Sequence, residues 1–219
     1  MQNTIHFVLQ AKGGIGKSFV STLLAQYLLN ETGAVRCFDT DQENTTFTHY
    51  EALKVRHVTV ANSSRLIEPK KFDGLMETLL TEEGNFVVDT GANTFSNLLA
   101  YMVENEVFPM LADAGKTTYV HTIVGGGDTL ADTANGFHAI TQKVNGTSVV
   151  LWFNEHFGEI KTAEESRSRR PRRTGKARES SPAWSRCSSA TPQRTARTSA
   201  SSTRNAIRSP RRSRRATTR

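Results

Sequence analysis

The chain has 219 residues, of which 37% are hydrophobic, and it carries a formal net charge of +7. This length suffices for one sizeable domain with a buried core, and no apolar run approaches the roughly 20 residues that a membrane-spanning helix needs. The N-terminus leads directly into a predicted strand instead of a signal peptide. The two cysteines, Cys37 and Cys187, offer neither a disulfide framework nor a C-x-x-C pair. We therefore expect a cytoplasmic protein without a transmembrane segment.

The charge of the chain is distributed very unevenly. Residues 1–162 contain 11 Lys and Arg against 18 Asp and Glu, whereas residues 163–219 contain 17 against 3. A break this sharp predicts a boundary between two parts of different character.

The first part opens on a strand, a glycine-rich loop and a helix. Residues 5–9 (IHFVL) predict a buried strand, and residues 19–29 carry apolar side chains at helical spacing. The loop between them, residues 11–18 (AKGGIGKS), has the composition and context of a phosphate-binding loop, although a glycine turn without a ligand is the alternative. In such a loop the lysine reaches the β- and γ-phosphates and the hydroxyl ligates Mg²⁺. The predicted nucleotide-binding residues are Gly13, Gly14, Ile15, Gly16, Lys17, Ser18 and Phe19.

The loop departs from the usual pattern in an informative way. Ala11 stands where a glycine is usual, and Lys12 directly precedes the glycine pair. The resulting K-G-G-x-G-K-S resembles the deviant Walker A motif of the ParA/MinD family of ATPases. This resemblance implies ATP and Mg²⁺ as cofactors and a homodimer in the ATP-bound state, with Lys12 reaching the partner's nucleotide. The absence of a cysteine pair argues against the iron–sulfur carriers and nitrogenase iron proteins that share this loop.

An acidic stretch follows the next predicted strand. Gly33 is expected to cap the first helix, residues 35–38 predict a strand, and the stretch 39–44 (DTDQEN) begins at its carboxyl end. The stretch resembles switch I of the same family, although the family's proline is missing here. By this resemblance Asp41 orients the attacking water and Asp39 supports the Mg²⁺ shell. The alternative interpretation is a turn held by Asx capping groups.

The next predicted elements lead to another aspartate, at the end of a strand. Residues 55–60 alternate as a half-buried strand does, and residues 69–80 predict an amphipathic helix with proline in its first turn. Residues 85–91 (NFVVDTG) resemble a Walker B strand, in which Asp89 holds a Mg²⁺-bound water. The alternative is an ordinary hydrophobic strand that ends in aspartate. The predicted metal-binding residues are thus Ser18, Asp39 and Asp89.

The remaining elements of the first part alternate between helix and strand. Helices are predicted over 94–111 and from 128 to about 144, strands over 118–124 and 147–153, and a tight turn at the triple glycine 125–127. Asn154 follows the last strand, where the ParA/MinD family often has an asparagine that recognises the adenine amino edge. The six histidines show no zinc-ligand spacing.

A narrower resemblance rests on residues 120–137 (VHTIVGGGDTLADTANGF). This segment resembles the TraL proteins of conjugal transfer, which are ParA-like plasmid proteins. The resemblance implies a role in plasmid conjugation, with proteins of the conjugation machinery (the relaxosome) or DNA as partners.

The second part of the chain has a different composition. In residues 163–219, Arg, Ser, Thr, Ala and Pro account for 47 of 57 positions, and the only large apolar residues are Trp184 and Ile207. We expect this segment to be disordered, because it cannot bury enough surface to repay its ordering entropy. It is either a cationic arm that binds nucleic acid or the product of a frameshift. The resemblance implies a further strand, helices and an adenine-flanking loop here, and these are missing from the sequence.

These observations predict one doubly wound α/β domain over residues 1–162, with the P-loop NTPase fold, a mostly parallel sheet and helices on both faces. Its expected function is ATP binding and hydrolysis in plasmid conjugal transfer. The alternatives are a nucleic-acid-binding protein that acts through its basic tail, and an inactive, truncated ATPase. A small-molecule kinase would need a substrate pocket rich in Arg or Lys, which the acidic first 162 residues do not suggest.

Overall fold

The computed structural model describes residues 3–161, which form a six-stranded sheet flanked by helices. The strands are β1 (Thr4–Val8), β2 (Arg36–Asp39), β3 (Arg56–His57), β4 (Phe86–Asp89), β5 (Thr117–Gly125) and β6 (Ser148–Asn154). The helices are α1 (Lys17–Thr32), α2 (Asp73–Thr81), α3 (Ala92–Glu104), α4 (Val107–Asp113) and α5 (Leu130–Lys143). The strands pair in the order β3-β2-β4-β1-β5-β6, and every pair is parallel.

The two faces of the sheet are covered by different helices. On one face, Ala25 and Leu28 of α1 pack in a cluster with Cys37 and Val87. On the other face, Val88 belongs to a larger cluster with side chains from α2, α3, α4 and α5. Because consecutive residues of a strand point to opposite faces, Val87 and Val88 contact these two separate layers. The predicted doubly wound α/β fold is confirmed.

The carboxyl ends of the strands lie along one edge of the sheet. Asp39 at the end of β2 pairs in register with Asp89 at the end of β4, and Gly125 of β5 pairs with Asn154 of β6. β1 lies between β4 and β5, so the loop that follows it emerges between these two pairs. This arrangement brings together residues that are distant in the sequence.

The end of α1 agrees with its prediction. Gly33 adopts a left-handed conformation (φ 75°), and its N–H donates to the carbonyl of Leu29 at 2.9 Å. Glycine reaches this conformation without the steric cost that a side chain would impose.

The strand predicted over residues 55–60 is much shorter than expected, because β3 contains only Arg56 and His57. The side chain of Gln42 takes over the backbone groups beyond it. Its amide donates to the carbonyl of Val58 at 2.9 Å, and its oxygen accepts the N–H of Val60 at 3.1 Å. The strand is therefore shorter than predicted, because a side chain from the preceding loop replaces part of the expected ladder.

The single helix predicted over residues 94–111 is wrong, since the structure has α3 and α4 there. Pro109 is the physical reason: an uninterrupted helix would need its N–H for the carbonyl of Asn105, and proline has none. The break is made at Glu106, which adopts a left-handed conformation (φ 50°) before α4 begins. Pro109 then falls in the first turn of α4, where its missing N–H costs little.

Two other predicted helices begin with a 3₁₀ turn. Residues Pro69–Phe72 precede α2, and residues Gly127–Thr129 precede α5. The triple glycine turns from β5 into this second element, as predicted. No helix among residues 3–161 is long and apolar enough to cross a membrane. The predictions for residues 163–219 lie outside the described part of the chain.

Candidate functional site

The glycine-rich loop connects β1 to α1 and ends at the helix N-terminus. Gly14 (φ 69°) and Gly16 (φ 103°) both have left-handed backbone conformations, and Gly16 is the N-cap residue of α1. These are the positions where glycine is required, because other residues are strained there. The 16-residue helix directs its free N–H groups and the positive end of its dipole toward the loop. Loop and helix together form a site suited to an anion such as phosphate.

Lys17 is the first residue of α1, and only 7% of its surface is exposed. Its Nζ donates a hydrogen bond to the carbonyl of Lys12 at 2.9 Å, across the loop. Burial lowers the pKa of Lys17, while the negative charges of Asp89 and Asp41 act in the opposite direction. The structure thus places a partly desolvated ammonium group beside the anion site.

Asp39 and Asp89 lie next to each other at the ends of β2 and β4, and neither has exposed surface. Burial raises the pKa of both carboxyl groups to about 6. The Oδ1 of Asp89 accepts the hydroxyl of Ser21 at 2.8 Å. The Oδ2 atoms of Asp39 and Asp89 are both buried without a hydrogen-bond partner. Two neighbouring carboxylates with free oxygens are the arrangement that a cation would satisfy.

The chemistry of these donors fits Mg²⁺. The hydroxyl of Ser18 lies close enough to Asp89 to oppose the rise of its pKa, so it belongs to the same cluster. Mg²⁺ prefers oxygen ligands and is usually held by one or two carboxylates, with waters and substrate phosphates completing the shell. Within the described residues no three His, Cys, Asp or Glu side chains gather to hold a metal by themselves. This small donor set therefore suits a metal that arrives with a phosphate ligand.

Asp41 has a structural role in its own loop. Its Oδ1 accepts the N–H groups of Glu43 at 2.9 Å and Asn44 at 3.1 Å, which is the Asx-type turn that the sequence left open. The same side chain lies against Gly91, where an added Cβ would come within 2.8 Å of the Asp41 carboxylate. The turn that the sequence analysis gave as the alternative is therefore present, and the catalytic role of Asp41 stays a prediction.

A cleft of about 510 Å³ lies at this site, and the buried Asp39 and Asp89 are not part of its lining. The cleft brings together most of the predicted nucleotide-binding residues, the acidic loop after β2 and the beginning of α3. Phe19 lies at its wall with 63% of its surface exposed. The cleft is lined by Gly13, Gly14, Gly16, Lys17, Ser18, Phe19, Asp41, Glu43, Asn44, Thr46 and Ala92.

Lys12 and Asn154 do not line the cleft, and each has a partner elsewhere in the fold. The Nζ of Lys12 pairs with the carboxylate of Asp132 in α5 at 2.7 Å, and both side chains are substantially exposed (40% and 60%). Such a surface pair contributes little stability, so Lys12 can exchange it for another anion. The amide of Asn154 donates to the carbonyl of Ile15 at 3.0 Å, on the side of the loop toward β6.

Two supporting residues escaped the sequence analysis. Ser21 lies one helical turn after Ser18 on α1, which is the signal that could have placed its hydroxyl near Asp89. Gln10 is fully buried and donates to the carbonyls of Ile123 at 2.7 Å and Thr133 at 3.1 Å, which fixes the start of the loop to β5 and α5. The available signal for Gln10 was an amide side chain directly after an apolar strand. Its partners are more than 100 positions away in the sequence.

The chain is similar to two curated proteins and to one solved structure. No protein-family model matches the chain. Two curated proteins, both named Protein TraL from Escherichia coli, are 38% and 36% identical to the chain over 157 residues. Each match covers 71% of this chain and 65% of the relative, so the chain spans just under two thirds of the length of these relatives. A crystal structure of a plasmid partition protein from Borrelia burgdorferi covers 77% of this chain and 84% of its own, with 16% identity and a TM-score of 0.45.

Proposed function

We propose that the chain is a TraL-like member of the ParA/MinD type that binds and hydrolyses ATP in plasmid conjugal transfer. One observation carries the nucleotide assignment. The buried Lys17 at the head of α1 lies near Asp89, which pairs in register with Asp39, and the Oδ2 atoms of both aspartates are buried without a hydrogen-bond partner. An anion and a divalent cation together would satisfy this arrangement, and a Mg·nucleotide supplies both.

Each predicted catalytic or metal-binding residue has a distinct role in this proposal. Lys17 neutralises the charge of the β- and γ-phosphates, and the loop N–H groups bind their oxygens. Ser18, Asp39 and Asp89 would hold Mg²⁺, which supplies charge neutralisation at the transferred phosphoryl group when bound. Asp41, which also lines the cleft, orients the attacking water, and Lys12 leaves Asp132 to reach the nucleotide of a second copy. Phosphoryl transfer depends mainly on such positioning and electrostatic stabilisation.

The biological role is proposed from the relatives. Two proteins named TraL share more than a third of their aligned residues with this chain. We therefore assign the ATPase cycle to conjugal transfer, with proteins of the conjugation machinery or DNA as partners.

Release of inorganic phosphate from ATP tests the enzymatic part of the proposal. Wild-type protein should release phosphate only with Mg²⁺, and Asp41→Asn should slow this release about tenfold or more, because it removes the group that orients water. Asp113→Asn, an equivalent change at an exposed position of α4, should have no effect. Wild-type protein that binds Mg·ATP but releases no phosphate would establish the inactive-ATPase alternative instead.

A plasmid that carries the Lys17→Ala allele should transfer less frequently than its wild-type parent, and equal transfer would refute the assigned role.

A second function, nucleic-acid binding, is favoured by the charge of residues 163–219, which lie outside the described part of the chain. Their 17 Lys and Arg against 3 Asp and Glu predict binding to duplex DNA without sequence preference. The affinity of the full chain for DNA should fall steeply with salt concentration and should be the same for wild type and Lys17→Ala. Salt-independent binding would contradict this second function.

A further inference from the structure

We propose that Gln42 is a positioning residue, which holds Asp41 at the nucleotide cleft by tying the acidic loop of residues 39–44 to residues 58–61. This inference rests on the proposed ATPase function, because it concerns the group that orients the attacking water. Gln42 does not line the cleft itself, whereas its neighbour Asp41 does. Any effect of Gln42 on the reaction therefore passes through Asp41.

The side-chain amide of Gln42 has four backbone partners. Its Nε2 donates to the carbonyls of Thr40 at 3.1 Å and Val58 at 2.9 Å. Its Oε1 accepts the N–H of Val60 at 3.1 Å and that of Ala61 at 3.3 Å. A primary amide has two N–H groups and two oxygen lone pairs, so these four partners use its whole capacity. The Gln42 amide is therefore committed to the backbone of its own domain.

The other hydrogen bonds around Asp41 stay within the acidic loop. The N–H of Asp41 donates to the carboxylate of Asp39 at 2.9 Å, and the carboxylate of Asp41 caps the turn of the next two residues. Among residues 3–161, every hydrogen bond that joins residues 41–44 to the chain outside the loop comes from Gln42. Loss of its amide would therefore loosen the stretch that carries Asp41.

The segment to which Gln42 is tied is itself well fixed. The N–H of Val58 donates to the carbonyl of Asp39 at 2.8 Å, and the carbonyl of Val60 accepts the N–H of Glu68 at 2.9 Å. The side chain of Val60 is fully buried in the larger core cluster. The anchor of the acidic loop thus ends on packed structure.

Asp41 also has a fixed boundary on the side of α3. An added Cβ at Gly91, which directly precedes this helix, would come within 2.8 Å of the Asp41 carboxylate. The negative charge of Asp41 opposes the lowering of the Lys17 pKa, which places the carboxylate near the phosphate end of the cleft. The position of Asp41 relative to the phosphate loop therefore follows from the contact with Gly91 and from the anchor at Gln42.

Phosphate release and Mg·ATP affinity, measured together, test the inference. Gln42→Glu keeps an oxygen for the N–H groups of residues 60 and 61, but it replaces the donor N–H groups by an oxygen that faces two carbonyls. We expect phosphate release to slow about tenfold or more, the usual consequence of unpaired polar groups. The calorimetric affinity for Mg·ATP should stay within about twofold of wild type, because Asp41 acts on the water and not on the bound nucleotide. Gln142→Glu, the same change at an exposed position of α5, should leave both quantities unchanged.

A double substitution distinguishes positioning from a general structural effect. Asp41→Asn removes the group that orients water, yet it keeps a side-chain oxygen for the capped turn. If Gln42 acts through Asp41, adding Gln42→Glu to Asp41→Asn should cause no further loss of rate, whereas independent effects would multiply. Losses that multiply would overturn the inference and leave the ATPase function standing. Unchanged phosphate release by Gln42→Glu, or a loss of affinity as large as its loss of rate, would do the same.

Amide hydrogen exchange of the ligand-free protein separates the inference from the proposed function. If wild type releases no phosphate, the ATPase function fails, but the anchor is still measurable. Gln42→Met removes the acceptor for the N–H groups of residues 60 and 61, so exchange should speed up there and at residues 43 and 44, relative to Gln142→Met. Unchanged exchange at residues 43 and 44 would refute the anchor, whether or not the protein hydrolyses ATP.

Discussion

Asp39 and Asp89 end neighbouring strands with no exposed surface, and each keeps one carboxylate oxygen without a donor. Burial raises the pKa of both groups to about 6 from an ordinary value of 3.8. A carboxyl group with a raised folded-state pKa favours folding fully only below its unfolded pKa, and this contribution is lost as the pH rises through about 6. The site is therefore costly to the ligand-free protein at neutral pH, and a bound cation would offset that cost.

The variant Asp89→Asn measures this cost. Its unfolding free energy relative to wild type should increase by about 1–3 kcal/mol between pH 4 and pH 7.5, because the wild type must ionise the buried Asp89 over this range and the variant does not. Urea denaturation of both proteins at the two pH values provides the measurement. Mg·ATP should stabilise wild type much more than the variant. A pH-independent difference would show that Asp89 ionises without penalty.

Lys12 has an exposed partner in its own chain, Asp132, at 2.7 Å. If Lys12 acts across a dimer, it must exchange that partner for a phosphate of the second copy. Sedimentation should show that ATP shifts wild type from monomer to dimer, and that Lys12→Ala removes this shift while it retains part of the nucleotide affinity. Asp132→Asn, which frees Lys12, should dimerise at least as readily as wild type. One species with and without ATP in both wild type and Asp132→Asn would contradict the role of Lys12.

At the scale of elements, local patterns predicted most strands and helices, whereas long-range contacts decided where the predictions failed. Residues 5–9 and 85–91 were recognisable because runs of apolar residues suit strands buried on both faces. The truncation of β3 by Gln42 was not predictable, because the bond from Gln42 to Val58 joins residues 16 positions apart and no local pattern indicates it. Pro109 was visible in the sequence, and its effect on the helix pattern was underestimated.

The site shows the same division between local and distant information. The loop 11–18 is a contiguous motif, so its residues and its helix were predicted together. The bond between Asn154 and Ile15 joins residues 139 positions apart, and the bond between Gln10 and Ile123, at 2.7 Å, joins residues 113 positions apart. Such contacts depend on the order of strands in the sheet, and local patterns in a single sequence do not reveal that order.

The triple glycine gives an element-scale prediction with a clear contrast. Gly126→Ala should destabilise the protein by more than about 2 kcal/mol, because its Cβ would lie 1.7 Å from the Gly158 carbonyl and the backbone must move. Gly74→Ala should instead stabilise by about 0.5–1 kcal/mol, since Gly74 lies in α2 with no atom within 4 Å of its Cβ position. Thermal unfolding gives the stability of both variants relative to wild type. Equal effects of the two substitutions would contradict the close packing of Gly126 against Gly158.

At the scale of the whole molecule, the chain joins an acidic α/β domain to a strongly basic segment. The 11 Lys and Arg of residues 1–162 are few, and two of them, Lys12 and Lys17, lie in the glycine-rich loop. Lys17 is the one that the fold buries beside the acidic strand ends. Nucleotide binding within one chain is therefore proposed to depend mainly on Lys17, whose position follows from β1, the loop and α1 together.

Calorimetric titration with Mg·ATP tests this dependence most directly. Wild-type protein should bind one Mg·ATP per chain, and binding should weaken when Mg²⁺ is omitted. Lys17→Ala should give no measurable binding, because the triphosphate would enter the cleft without its main countercharge. Lys143→Ala removes an exposed lysine at the end of α5 and should bind as wild type does, which excludes an effect of net charge. Equal affinity of wild type and Lys17→Ala for Mg·ATP would contradict the account.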